Sequence, residues 1–563
     1  MVIDKSIFEG YEDSKLCRYD DPVCDFPTTC AFEDLPKTSV SGVLKANRYV
    51  DGKLMQTYSE LENHVCVIAA TRLGKTTSYV IPSVISNAIK PIKRSMIISD
   101  PKGEIYRHTA RTLQQEGYIV KMINFRDYRH SECWNPLTPI FRKFKWANSL
   151  ENEVKPITKN GKQCYRFMEN IYQTKEELNE AISLEKEAAL DDVYNDIDIF
   201  GVMMVPTTNK DDQMWDEGAR SLFVAFIIAM LEDSLVDENP ITEETFSLDT
   251  ILNIFATFGG EGMSYDRGYF SNRPVTSKAY MFAKDVILIA AEKTRGSFIA
   301  NFSQKMSEFR SVAIRRLTMC DSFEMDTLLG AKPVAIFLCY RDEVKAHYKM
   351  ISLFVQNAYK LLIDFAQGYD DNKLPTPFYF ILDEFGNFPQ MNSFENVISA
   401  CAGRNIWFTL VLQSYAQLNA VYGDNTAKII LDNLNVKVML GSLNWQTVCE
   451  FAESCGLHAR LSPESALNGS GEEIEHYKIE TIPLVTKSML SKLKSGECIV
   501  TEANSGYVMF SRLERYYMCP EFNNLPLADE KKYKCSVNPL DSKYRYIYNE
   551  RIAYRRRFKF NTM

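Results

Sequence analysis

Two short stretches of this chain end apolar runs in residues able to handle a phosphate and a metal ion. The first is Ala69–Thr77 (AATRLGKTT), which follows the run His64–Ala70 (HVCVIAA) and matches the relaxed phosphate-loop pattern A/G-x-x-x-x-G-K-S/T. In such a loop the backbone N–H groups face the phosphates where a helix begins, so that the helix's positive end meets the charge. Gly74 permits close backbone approach, Lys75 reaches the phosphates, and Thr76 offers its hydroxyl to Mg²⁺. Ala69, Ala70, Thr71, Arg72, Leu73 and Thr77 complete the nucleotide-binding loop. The first position carries Ala69 where glycine is usual. It lies where strand turns into loop, and alanine serves there if its φ stays negative.

The second stretch is Phe378–Phe385 (FYFILDEF), an apolar run that delivers Asp383 and Glu384 together. In an ATPase the first acid holds the Mg²⁺ shell and the second orients the attacking water as base. The competing reading, an ordinary strand and a solvated turn, loses force beside an upstream phosphate loop. Gln413 ends the next run, Trp407–Gln413 (WFTLVLQ). It reads either as a sensor of the γ-phosphate or as a turn residue. Arg404 (CAGRNIW) and Arg295 (EKTRGS) are candidates for an arginine donated to a neighbouring subunit, or else surface salt-bridge residues. In Asp100–Glu104 (DPKGE), Lys102 and Glu104 are placed to touch phosphate or a neighbouring subunit, with Gly103 as turn chemistry. The six histidines form no recognisable metal constellation, and there is no nucleophile elbow.

These residues need a scaffold of strands that end at one edge. His64–Ala70, Ser95–Asp100, Ile119–Phe125, Val334–Tyr340, Phe378–Phe385, Trp407–Gln413 and Val436–Ser442 all read as short buried strands, with helical patterns between many of them. The expected fold class is therefore α/β with a parallel central sheet and ligands at the strands' carboxyl ends. Glu497–Leu513 has two β-rich halves around Asn504-Ser505-Gly506, a hairpin signal. Between about 138 and 329 the period turns helical and β-rich runs are scarce, which predicts an all-α insertion. The expected organisation is an acidic arm (1–37), a nucleotide-binding domain in two parts (38–137 and 330–525) around the insertion (138–329), and a basic tail (526–563).

With 563 residues, 45% hydrophobic and 25% charged, the chain has material for large cores. A net charge of −8 argues against a surface coated for DNA binding. The charge is uneven: Met1–Leu35 holds nine acidic against three basic residues, and Lys543–Met563 seven basic against one acidic. The longest apolar run, Leu222–Leu231, is about half what a membrane helix needs, and no signal pattern opens the sequence, so a soluble intracellular protein is expected. Fourteen cysteines without a CxxC pair read as reduced structural thiols.

The ordered series AATRLGKTTSYVIPS, SMIISDPKGEIY, GYIVKMINFRD, WNPL, KTRGSF, FYFILDEFGNFP, GRNIWFTLVLQSYAQLNAVYG and GECIVTEANSG resembles the type IV coupling proteins, the TraG/TraD-like ATPases of conjugation and type IV secretion. DPKGE followed by WNPL separates them from FtsK- and HerA-like pumps, which share the ATP motifs. The resemblance spans roughly 41–519. It implies a RecA-like nucleotide domain interrupted by an all-α domain, ATP and Mg²⁺ as cofactors, and a hexameric ring at the cytoplasmic face of the membrane. It further implies single-stranded DNA with its relaxase as substrate, and the secretion-channel ATPases as partners. Lys75 and Thr76 would hold phosphates and Mg²⁺, Asp383 and Glu384 would be the Walker B acids, Gln413 the sensor, and Arg404 an arginine acting in trans. Members usually begin with transmembrane helices and this sequence shows none, so a separate membrane-anchor protein is expected. A recruitment platform that binds ATP without pumping, and a DNA translocase outside secretion, are the alternatives.

Overall fold

The computed structural model describes residues 15–18, 28–38, 40–159, 162–207, 211–236, 239–256, 269–391, 393–467, 473–503, 505 and 507–546. The chain forms two compact units, Met1–Arg126 with Met325–Tyr533, and Asp127–Glu324 with Lys534–Met563.

The first unit is built on a ten-stranded sheet. Its strands in chain order are β1 (Lys15–Arg18), β2 (Val65–Ala69), β3 (Ser95–Asp100), β4 (Ile119–Asn124) and β5 (Val334–Cys339), then β6 (Phe378–Leu382), β7 (Ile406–Leu412), β8 (Val436–Gly441), β9 (Glu497–Glu502) and β10 (Tyr507–Arg512). The spatial order is β1-β10-β9-β8-β2-β7-β6-β3-β5-β4. From β8 to β4 every neighbouring pair is parallel, and β9 and β10 extend the sheet antiparallel. Strands β2, β6 and β8 lack the alternation of a half-exposed strand because helices and loops cover both faces. On one face the helices Ile81–Ile89 and Glu104–Gln115 pack Ile81, Val84, Ile85, Ile105 and Leu113 onto Val65, Val67, Met96, Ile98 and Phe337. On the other, Phe394 from the helix Phe394–Ala402 meets Phe408, which stacks on Phe380 at 4.7 Å. Each such side chain contributes about 1.5–3 kcal/mol by burial.

Seven of the runs read as strands from sequence are strands here, and the hairpin halves pair as β9 and β10. The acidic arm is partly built into sheets. Lys15–Arg18 adds a parallel edge strand beside β10, and Thr29–Ala31 pairs with Lys53–Tyr58 in a small antiparallel sheet completed by Leu44–Val50. Strands of three or four residues are too short to show a period, and pairing alone defines them.

The second unit is mainly helical. Helix Lys175–Met204 opens with a capping box, Thr174 accepting from the Glu177 amide while Glu177 reaches back. Helix Gln213–Asp233 carries the run Leu222–Leu231 through the middle of this unit, every residue of it buried. Gly218 lets Phe298 approach: a Cβ there would lie 2.2 Å from the ring. The all-helical expectation needs a correction, because Lys155–Lys159, Lys162–Phe167 and Asn170–Tyr172 form a three-stranded antiparallel sheet. Its strands carry Lys, Gln, Arg and Asn on exposed positions, which hides the alternation from an apolar count. Among the described residues no helix is long and apolar enough to cross a membrane.

Candidate functional site

Strand β2 ends at Ala69, buried and paired with Gly441 of β8, and the Ala70 amide donates to Gly441 O at 2.9 Å. Among the described residues the positive-φ positions of this loop are Arg72 (φ 71) and Gly74 (φ 95). Ala69 is not one of them, so the condition for alanine at the first position is met. Glycine is needed at 74, where a Cβ would face both the left-handed backbone and Ser78 Oγ at 2.9 Å. From Gly74 the chain enters a widened turn, Lys75–Val80, in which the Ile81 amide reaches back five residues to Thr76 O. Pro82 has no N–H with which to bond Ser78 O, which favours this π geometry before the regular helix begins.

The topology then brings the acids to the loop. Strand β7 lies between β2 and β6, with Leu412 paired to Ile68 and Leu410 to Leu382. The phosphate loop, Asp383-Glu384 and Gln413 consequently leave the sheet at one edge. Thr76 Oγ1 donates to Asp383 Oδ2 at 2.7 Å. Lys75 Nζ lies 2.5 Å from Glu384 Oε1, and Gln413 Nε2 donates to Glu384 Oε2 at 3.2 Å. Thr71 Oγ1 donates to Gln413 Oε1 at 3.5 Å. The Lys75 ammonium is buried and, despite this ion pair, has no acceptor in good hydrogen-bond alignment among the described residues.

Asp383 is buried, and that burial raises its carboxyl above the usual range, against the lowering effect of Lys75 and Thr76. Its carbonyl accepts from Ser99 Oγ at 2.9 Å and from the Tyr340 hydroxyl at 3.3 Å, and the Glu384 amide donates to its Oδ1 at 3.0 Å. Ser99 and Tyr340 thus fix the acid's backbone, a role the motif reading did not assign. The only cue in the sequence was a polar residue inside the apolar run SMIISD. Glu384 itself adopts φ 56, a left-handed conformation that costs a non-glycine residue about 1–3 kcal/mol. Here it aims the second carboxylate back at Lys75.

Other candidates fall elsewhere. Arg404 sits just before β7, at the opposite end of that strand from Gln413, where its Nη1 donates to Ala400 O at 2.9 Å. Arg295 is buried in the helix Glu292–Lys305 of the second unit. Asp100 caps the helix Glu104–Gln115 by accepting from the Tyr106 amide at 2.7 Å, and burial pushes its carboxyl up to about 7. Lys102 is exposed, and Glu104 accepts from the Tyr516 hydroxyl at 3.5 Å. In the WNPL stretch, Asn135 donates to Phe246 O at 2.7 Å and its amide to Asp321 Oδ1 at 2.8 Å, tying together segments of the second unit. DPKGE and WNPL are thus folding devices as far as their contacts go.

The residues fit a magnesium-bound nucleoside triphosphate. An unaligned buried ammonium, a hydroxyl and a carboxylate already in contact, and a glycine that keeps the backbone open are what phosphate and Mg²⁺ require.

Comparison with known proteins bears on the fold and the family. Solved structures of the bacterial conjugative coupling protein TrwB share the fold. The unbound monoclinic form of TrwBdeltaN70 superposes with a TM-score of 0.56 at 13% identity, covering 87% of this chain and 93% of that one. The form described as in complex with ADP and Mg²⁺ gives 0.50 at 15% identity, covering 80% and 85%. Protein VirD4 of Rhizobium radiobacter is 21% identical over 407 residues, 70% of this chain and 48% of its own length. Conjugal transfer protein TraG of Escherichia coli is 22% identical over 381 residues, 66% and 51%. The chain spans about half the length of the curated relatives it matches. The family model described as type IV secretory system conjugative DNA transfer matches residues 31–531, nearly the whole described sequence, and the chain therefore belongs to that family of coupling proteins.

Proposed function

We propose that this chain is an ATP-hydrolysing coupling protein that recruits relaxase-bound single-stranded DNA and drives it into a type IV secretion system. The observation that carries the reading is the convergence of Lys75, Thr76, Asp383, Glu384 and Gln413 on one edge of the sheet. Lys75 and the loop amides hold the phosphates. Thr76 and Asp383 hold Mg²⁺, which when bound neutralises charge on the phosphates. Glu384 takes the proton of the attacking water, and Gln413, bonded to Glu384, orients it.

The Lys75–Glu384 ion pair supplies a safeguard. While Lys75 contacts Glu384, the carboxylate is engaged by the ammonium; phosphates that draw the ammonium away leave Glu384 free to meet the attacking water. Arg404, remote from its own chain's site, is left to act on a neighbour's nucleotide in a homo-hexameric ring. Attachment to the inner face of the membrane goes through a separate anchor protein, and the channel ATPases receive the substrate. Vesicle flotation of the chain, alone and with the transfer machinery, checks the attachment; flotation of the chain alone counts against it.

The deciding measurement is ATP hydrolysis with and without single-stranded DNA, for the parent, Lys75→Ala and Glu384→Gln. Stimulation by DNA, with losses of about 10²–10⁴-fold in both variants, is expected. Hydrolysis that survives both substitutions removes the assigned roles. ATP binding with DNA-independent turnover would instead make the chain a recruitment platform.

A further inference from the structure

The residues above account for the metal and place Lys75 on the phosphates, but assign no side chain to the α-phosphate side or to the nucleobase. A segment late in the chain packs against the turn that follows Gly74. The short turn Tyr516–Met518 lies on the turn Lys75–Val80. Arg515, just before it, places its Nε 3.5 Å from where a Cβ on Gly74 would be; Thr77 Oγ1 and Ser78 Oγ lie at 3.3 Å and 2.9 Å from that same point.

Arg515 is held by neutral groups only. Its Nη1 donates to the Tyr517 hydroxyl at 2.6 Å and its Nη2 to Ser495 Oγ at 3.0 Å, and among the described residues it makes no ion pair. Its neighbour Glu514 is engaged elsewhere, pairing with Arg512 at 3.0 Å. A guanidinium beside a phosphate loop, aimed by two hydroxyls and neutralised by no carboxylate, is a ready phosphate ligand. Ser78 Oγ, buried with no hydrogen-bond partner, marks the same spot as polar and unsatisfied. Next to the guanidinium, Tyr517 is 45% exposed and Met518 63% exposed, two large apolar groups facing solvent beside the loop. Tyr516, between Arg515 and Tyr517, is buried and anchored, its hydroxyl 2.9 Å from His108 Nε2. The turn is therefore rigid beneath an exposed aromatic ring and an exposed thioether.

We propose that Arg515 and Tyr517 form the seat for the remainder of the nucleotide, with Arg515 on the α- and β-phosphates and the Tyr517 ring stacked on the nucleobase. The seat rests on the nucleotide reading given above. Stacking reads the face of a base, not its edge, so the seat takes purine nucleotides with little discrimination between them.

The test is competition against a ribose-labelled fluorescent ATP in the full chain, with ATP and inorganic tripolyphosphate as competitors. Arg515→Ala is expected to weaken both competitors about 10-fold. Tyr517→Ala is expected to weaken ATP about 5- to 10-fold and to leave tripolyphosphate within about twofold, while Tyr517→Phe keeps ATP near the parent value. If the parent binds ATP and both alanine variants match it, the seat is overturned and the nucleotide reading stands. If Tyr517→Ala weakens tripolyphosphate as much as ATP, Tyr517 supports Arg515 and the base-stacking half falls. If the parent binds no ATP, both readings fall together.

Discussion

Strand β7 (Ile406–Leu412) has two ends of opposite character. At its carboxyl end Gln413 meets Glu384, which meets Lys75, while Thr76 meets Asp383. The partners there are side chains, many of them ionisable, and each bond can be exchanged for one to a ligand. At its amino end the partners are largely backbone. His64 Nδ1 accepts from the Phe408 amide at 2.9 Å and Nε2 donates to Ile398 O at 2.9 Å. Asn405 donates to Leu374 O and accepts from the Trp407 indole. Both ends are shielded from water, so burial does not distinguish them. What does is whether a polar group's partner is fixed by the main chain or free to leave. The exception at the amino end is Arg404, whose Nε is buried without a partner.

That exception offers the strongest way to break the contrast. Arg404→Ala is expected to lower DNA-stimulated hydrolysis of the assembled protein about 10³-fold and leave ATP affinity of the isolated chain unchanged, as steady-state kinetics and equilibrium binding will show. Equal turnover in the two proteins would make Arg404 another structural residue of the amino end.

A smaller effect sharpens the carboxyl end. Gln413→Ala removes one hydrogen bond to Glu384 and is expected to lower kcat about 10- to 100-fold with KM for ATP within about threefold. A change in KM alone would place Gln413 in binding and not in the chemical step.

At the amino end the measurement is stability against pH. Burial lowers the His64 pKa to about 4, against an ordinary value of 6.5, so the unfolded chain binds the extra proton first. The stabilisation is complete above pH 6.5 and is lost as pH falls towards 4, by up to about 3 kcal/mol. Thermal melts of the parent and His64→Gln between pH 7 and 4.5 check this, because the variant loses that part of the pH slope. An unchanged slope would mean that His64 is not the group responsible.

The smallest change concerns Ala69. Ala69→Gly is expected to leave hydrolysis within about twofold, whereas Ala69→Val overpacks a fully buried position, costs about 1–3 kcal/mol and weakens ATP binding. Parent-like behaviour of both variants would show that the first loop position carries no size constraint.

Much of this was legible from the sequence. Runs such as FYFIL and MII are apolar without alternation because strands of a covered parallel sheet are buried on both faces, and polar residues, Asp383 and Asp100, follow where the sheet ends. The phosphate loop was legible because its residue types answer to local backbone and charge requirements. The contacts of Ser99 and Tyr340 with the Asp383 carbonyl were not, since a hydroxyl in a strand has no pattern that names its partner. Arg515 was equally hidden, standing outside any motif.

The sequence by itself determined the elements and the chemical kinds: a strand into a phosphate loop, two acids ending a second strand, an amide ending a third. Those follow from period, burial and loop chemistry, all local in the chain. Only the tertiary structure decided that β7 inserts between β2 and β6, which brings Thr76 to Asp383 across 307 positions of sequence. The same insertion puts Arg404 a strand's length, about 20 Å, from its own site. Strand order and register come from backbone ladders and packing between distant segments, and no short stretch of residues records which neighbour it will meet.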